Sequence, residues 1–202
     1  AMCGYADGKQ ILEDSLKIKV DYAGFDYSDE VVNQLKEQEP TVKVFHADVG
    51  TVELKERYDL VILLGGLHHV PHMARGVVQR MAAAIRPGGF FLNLEPTSGN
   101  WMFTKAREVI YARNSLFDEE TERAFGVSEL LAMFQDAGLV KADIAYPGLL
   151  SYVLYYNPDA FPALNIGGER SVRAAFGFDK LFLRNWIGRT LSFATLSLWC
   201  KP

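Results

Sequence analysis

The sequence predicts an α/β protein: a Rossmann-like, mostly parallel sheet with helices on both faces, an antiparallel C-terminal hairpin and helical insertions. Three observations predict it. Short apolar runs (VDYAGF, TVKVFHADV, YDLVILL, FFLNLEP) alternate with segments of helical periodicity. One of them, YDLVILL, is apolar throughout, as a strand covered on both faces is. Three strand ends finish at Asp26, at Asp48 and in the Gly65 to His69 turn, on the edge where open parallel sheets bind ligands.

Composition bounds the architecture. With 202 residues, 49% of them hydrophobic and 23% charged, the chain is long enough for one well-packed core and short for two, so residues 1–202 read as a single domain. A formal net charge of −4 argues against a nucleic-acid binder held by phosphate contacts. Cys3 and Cys200 lie at opposite ends, and there is neither a secretory signal nor an apolar run of bilayer-spanning length. A reducing, cytoplasmic setting is expected.

The elements follow in order. CGYADG is a glycine-containing turn, and KQILEDSLKI after it sets Ile11, Leu12 and Leu16 at helical spacing. VDYAGF is a short strand ending at Asp26. Ser28 caps the next helix, Asp29 and Glu30 suit its positive N-terminal end, Val31, Val32 and Leu35 form its apolar face, and Pro40 stops it. TVKVFHADV is a strand ending at Asp48, and YDLVILL is the sheet's interior. PHMARGVVQRMAAAI places Met73, Val77, Met81 and Ile85 on one helical stripe, and Arg86-Pro87-Gly88-Gly89 ends it before the strand FFLNLEP. Residues 97–125 read as helical, and SELLAMFQDAGL as a helix capped by Ser128 and closed by Gly138. KADIAYPGLLSYVLYY reads as extended and TLSFATLSLWC as the last strand. Between them lies an insert, residues 158–190, with Pro158, Pro162, Gly167-Gly168 and a helix in DKLFLRNWIG.

A carboxylate about 20 residues beyond a glycine turn can accept both hydroxyls of a ribose, and Gly4 to Asp26 has that spacing. Taken singly, an aspartate after a strand is more often a cap or turn former. The register of the series carries the reading.

At these segments the chain resembles the class I S-adenosylmethionine-dependent methyltransferases: AMCGYADG, AGFDYSDE, HADV, YDLVILLGGLHHV and RPGGFFLNLEP stand in that family's order and spacing. The resemblance covers about residues 1–140, and the strand pair at 142–156 and 190–200 matches the family's closing hairpin. It implies S-adenosyl-L-methionine as cofactor. Cys3, Gly4, Tyr5 and Ala6 would form the loop beside its methionine part, Asp26 would hold the ribose hydroxyls and Tyr27 would line the adenine. Asp48 would accept from the adenine amino group, Val49 would pack nearby, and Gly65, Gly66 and Leu67 would pass close to the sulfonium. The family's outer glycines are Met2 and Ala6 here, and its first strand is lacking, which would leave two neighbouring strands unpaired in mid-sheet. A truncated start is the expectation, with reduced cofactor affinity.

Methyl transfer needs alignment of the nucleophile and, where the acceptor must lose a proton, a base. His69 first and His68 next are the candidates, since an imidazole titrates near neutral pH; packing or loop hydrogen bonding is the alternative for both. His72, Glu95 and Tyr111 are candidate contacts to substrate, with capping an equal reading for Glu95. Trp101, Phe103, Tyr111 and Phe117, with Phe161, Phe176, Phe178, Phe182 and Trp186, could form a lid over an apolar acceptor or the core of an added subdomain. The insert is locally basic: Arg170, Arg173, Lys180, Arg184 and Arg189 stand against Asp159, Glu169 and Asp179.

The function expected is methylation of a small, apolar or anionic acceptor, oxygen being favoured. A peripheral membrane or lipid contact and a homodimer complete the expected partners. Two other readings stand beside it. One is a catalytically impaired, methyltransferase-fold binding protein; the other is a nicotinamide-dependent oxidoreductase, disfavoured because the opening turn lacks G-x-G-x-x-G.

Overall fold

The structure, a computed structural model, describes residues 1–55, 57–98, 123–156 and 168–202. Strand β1 (Ala23–Asp26) pairs in parallel with β2 (Lys43–His46). A larger sheet holds β3 (Tyr58–Leu64), β4 (Ile85–Ser98), β5 (Phe125–Gly126), β6 (Val140–Ala145) and β7 (Ala194–Cys200). Its order is β3-β4-β7-β6, with β5 against the far end of β4. The β3–β4 and β4–β5 pairs are parallel, whereas β7 runs antiparallel to both β4 and β6, which is the expected closing hairpin.

The two sheets do not pair directly, and residues 1–3 run between them where a strand was expected to be lacking. The Ala1 nitrogen donates to the Ile62 carbonyl of β3 at 2.9 Å, and the Cys3 N–H donates to the Phe25 carbonyl of β1 at 2.9 Å. Each contact satisfies a backbone group that the gap would leave open.

The main core lies on one face of the larger sheet. Helix α3 (Ala74–Ala83) buries Val77, Val78 and Met81, and α4 (Val127–Asp136) buries Leu130 and Phe134. Phe134 stacks on Trp199 at 5.0 Å and meets Phe91 edge-on at 5.0 Å. Each such side chain contributes about 1.5–3 kcal/mol by leaving water. On the small sheet, α1 (Asp7–Leu16) follows the opening loop, and α2 (Asp29–Gln38) buries Val32 and Leu35 with Ala6, Val42 and Val44. Ser28 caps α2 as expected, its hydroxyl accepting from the Val31 N–H.

Several boundaries differ from the sequence reading. β1 begins only at Ala23, and β2 stops at His46, short of Asp48. RPGG is no stop between helix and strand: β4 starts at Ile85, and Gly88 (φ 76°) and Gly89 exchange backbone bonds with Lys201. Ser128 is not the cap of α4. Gly126 stands there, and the Glu129 carboxylate accepts from its N–H, while the Ser128 hydroxyl accepts from Arg189.

KADIAYPGLLSYVLYY is extended only to Ala145. Gly148, at φ 94°, turns the chain, and a π-helical turn occupies Tyr152–Tyr156. Its cause is distant in sequence: the buried Asp179 carboxylate accepts from the Leu150 N–H, the Ser151 N–H and the Ser151 hydroxyl. The insert's helix is not DKLFLRNWIG but α5 (Glu169–Asp179), followed by a turn and by α6 (Trp186–Leu191), which the Asn185 side chain caps through the Gly188 N–H. Thr190 and Leu191 therefore belong to α6, and the last strand starts at Ala194. The helical reading of 97–125 falls mostly outside the described residues, as does the start of the insert.

Candidate functional site

The carboxyl ends of β1, β2, β3 and β4 share one edge, and the opening loop crosses it. Met2, Gly4 and Ala6 take positive φ values of 50°, 48° and 62°. The loop thus keeps, at its two non-glycine positions, a backbone that glycine adopts without strain. The turn closes by an Ala6 N–H to Cys3 carbonyl bond, and Asp26 fixes its middle: one carboxylate oxygen accepts from the Gly4 N–H at 2.9 Å. The other accepts from the Ser28 N–H at 3.1 Å. A side chain built at Gly4 would meet nothing within 4 Å, so the loop borders open space.

Across the edge, β3 ends in Gly65 (φ 66°) and runs into a short 3-10 turn, Leu67–His69. Met2 reaches this turn; a Cβ on Gly66 would lie 2.7 Å from its Sδ. Beneath the turn lies Glu95, fully buried. One of its oxygens accepts from the Gly66 and Leu67 N–H groups at 2.9 and 2.8 Å, and the other accepts from the His68 N–H at 3.3 Å and stands 3.0 Å from His68 Nδ1. The His69 ring packs against His68 at 4.0 Å between ring centres, tilted by 37°. His72 is exposed beyond the turn.

The structure therefore gathers Cys3, Gly4, Ala6 and Asp26 on one side and Gly65, Gly66, His68 and Glu95 on the other. The Val49 and Leu67 side chains belong to the core, so at these positions only backbone faces the edge. Asp48 is exposed, with one oxygen on the Gly50 N–H. Tyr27 is exposed with its ring against His46, and Tyr5 donates to Gln34. Tyr111 lies outside the described residues, as do Trp101, Phe103, Phe117 and Phe161.

Sequence reading missed a buried polar row beside Glu95. Asn93 and Thr97 share its face of β4, and across β7 Thr97 meets Thr195 hydroxyl to hydroxyl at 2.8 Å. The strict alternation of Asn93, Glu95 and Thr97 with Leu92, Leu94 and Pro96 was the available signal. Arg123 was also missed; its N–H donates to the His68 carbonyl. Past Ser98, a cavity of about 330 Å³ is lined by Ser98, Gly126, Ser128, Glu129, Arg189 and Thr190. The Arg123 guanidinium holds the Glu129 carboxyl below its ordinary value, with help from the Gly126 N–H.

A sheet flanked by helices, with a loop and a carboxylate at the carboxyl edge and an antiparallel closing hairpin, defines the class: the fold is the Rossmann-like one of the class I S-adenosylmethionine-dependent methyltransferases. Residues 1–89 match the methyltransferase domain family. A demethylmenaquinone methyltransferase of Bacillus pumilus is 27% identical over 71% of this chain and 70% of its own length. One of Listeria welshimeri is 26% identical, over 88% of this chain and 76% of its own. Among solved structures, the methyltransferase complexed with the Trm112 activator from Haloferax volcanii superposes with a TM-score of 0.66 at 16% identity, covering 100% of this chain and 79% of that one.

Proposed function

We propose that the chain binds S-adenosylmethionine across the carboxyl edge and methylates a small, largely apolar acceptor, with oxygen the favoured nucleophile. One observation carries the cofactor reading: each Asp26 oxygen takes one amide, from Gly4 or Ser28, and keeps a further lone-pair position, while the loop at Gly4 borders open space. Two neighbouring ribose hydroxyls fit those positions. When bound, the cofactor supplies an electrophilic methyl on a sulfonium and departs as a neutral thioether.

The protein's own part is alignment and proton removal. Gly65, where a Cβ would meet only His68 Cε1 at 3.7 Å, leaves room for the acceptor to approach, whereas the Gly66 position is packed against Met2 and Leu63. His69 and His68 are the candidate bases, and the structure sets His68 Nδ1 beside the Glu95 carboxylate. A base fits an acceptor that sheds a proton, as a hydroxyl does; nitrogen and carbon acceptors that lose a proton fit it as well. The relatives' name, demethylmenaquinone methyltransferase, supports a quinone-like ring as acceptor class. Calorimetry with S-adenosylhomocysteine tests the cofactor reading, and absence of binding at high ligand concentration would leave instead the alternative of a fold kept for binding another molecule.

A membrane contact extends the same reading to a lipid-like acceptor. Leu181 and Trp186 are 69% and 75% exposed, with Phe176 and Phe178 also exposed on α5. Arg170 and Lys180 have no carboxylate partner among the described residues, so the segment offers apolar anchors beside free cations. Cosedimentation with anionic vesicles but not with zwitterionic ones is expected, and equal recovery with both would refute it.

A further inference from the structure

Glu95 is a fully buried carboxylate, and its surroundings assign it a task other than touching substrate. Its side chain is wholly inaccessible, which rules out direct contact with an acceptor. No lysine or arginine is among its described partners. An isolated buried carboxylate is costly. Here the cost is offset by a run of consecutive backbone amides, Gly66, Leu67 and His68, that converge on it as an anion nest. The Asn93 amide adds a longer contact at 3.5 Å.

We propose that Glu95 is the positioning residue of the proposed methyl-transfer site: it fixes the 65–68 turn and holds His68 as the Nδ1–H tautomer, leaving Nε2 as the proton acceptor. A carboxylate only accepts, so the nitrogen 3.0 Å from it carries the hydrogen. The neutral ring's other nitrogen then has its lone pair on the side remote from Glu95. The ring rests over Gly65, where an added Cβ would lie 3.7 Å from His68 Cε1, and 19% of the side chain is open to solvent. Among the described residues Nε2 has no hydrogen-bond partner. When an acceptor hydroxyl is methylated, Nε2 would take its proton and the ring would become imidazolium, its new charge facing the Glu95 carboxylate.

This inference rests on the methyltransferase reading for its relevance, yet its test needs neither cofactor nor acceptor. In protein labelled with ¹⁵N at histidine, long-range proton–nitrogen correlation at mildly alkaline pH reports each neutral ring's tautomer, with His68 assigned by its loss in His68→Gln. His68 should show a protonated Nδ1 and a bare Nε2. Glu95→Gln keeps an oxygen for the Gly66 and Leu67 amides but offers Nδ1 an N–H donor, so the tautomer should invert. With an acceptor in hand, kcat should then fall about 100-fold or more, the range of a lost general base, while S-adenosylhomocysteine affinity stays within about twofold. A wild-type ring protonated at Nε2 overturns the proposal without any variant, and an unchanged tautomer in a folded Glu95→Gln protein does so as well. Cofactor binding is measured separately, so failure of the methyltransferase reading would show there and not in the tautomer.

Discussion

Replacing Asp26 by asparagine separates a turn former from a ribose ligand. In the structure its two oxygens take the Gly4 and Ser28 amides at 2.9 and 3.1 Å. Asparagine retains one acceptor oxygen and turns an NH₂ toward the other amide, so one charge-assisted bond is lost, about 1.5–3 kcal/mol. For a chain of this length that lowers Tm by about 3–12 °C, at roughly 2–4 °C per kcal/mol. A ribose needs the same carboxylate a second time, and losing one of its two hydroxyl contacts weakens S-adenosylhomocysteine by about 10- to 150-fold. Calorimetry gives the affinity, and a thermal melt of ligand-free protein gives the stability cost. If Tm falls as calculated while affinity changes less than about threefold, Asp26 is a turn former alone and the cofactor does not lie where we place it.

Gly188→Ala should loosen the α5–α6 segment, because its Cβ would fall 1.9 Å from the Phe182 carbonyl oxygen and only backbone movement relieves that contact. Limited proteolysis should cut this segment faster while S-adenosylhomocysteine affinity holds. Ala6→Gly should be nearly neutral: relief of the left-handed backbone is worth about 1–2 kcal/mol, against about 0.8 for the buried methyl and about 0.4–1 for unfolded-chain entropy. A Tm change beyond about 4 °C would contradict that balance. Glu129, its carboxyl lowered by Arg123, contributes stability that is fully present above its ordinary value of 4.5 and is lost as pH falls through the lower folded value. Glu129→Gln should flatten the acid limb of a stability–pH curve.

What was legible in the sequence is what local pattern determines. YDLVILL became a strand, though at the end of the larger sheet's order and with only Val61 and Leu63 buried rather than in the interior covered on both faces, Ser28 became a cap, and the alternation in FFLNLEP a strand with one buried face, because each local pattern depends on neighbours a few residues away. Aspartate at the end of β1, opposite a glycine turn, was legible through its spacing. The misread stretch 146–156 depends on Asp179, 28 or 29 residues downstream, and no periodicity within LLSYVLYY reports that carboxylate. Glu95 was placed at the right strand end, with a substrate contact and a capping role as equal readings; its partners, the amides of the 66–68 turn, lie 27 to 29 residues upstream. The positive φ at Met2 and Ala6 could not be inferred from side chains that disfavour it. Only their alignment with glycines of a known motif hinted at it.

The site straddles the seam between two sheets, and that placement links ligand binding to cohesion. Gly4 and Asp26 belong to the β1–β2 side; Gly65, Gly66 and Glu95 belong to the larger sheet. Among the described residues, the strap of residues 1–3 and the Met2 contact with Gly66 join the two at this edge. A ligand whose ribose sits on Asp26 and whose sulfonium end reaches Gly65 adds a further link across the seam. Its binding free energy opposes opening of the seam as well as global unfolding. On the proposed placement, the shape of the ligand and the stiffness of the Glu95-bound turn would together decide how well the halves register, so a cofactor bound there would draw the two sheets onto a turn already fixed from below.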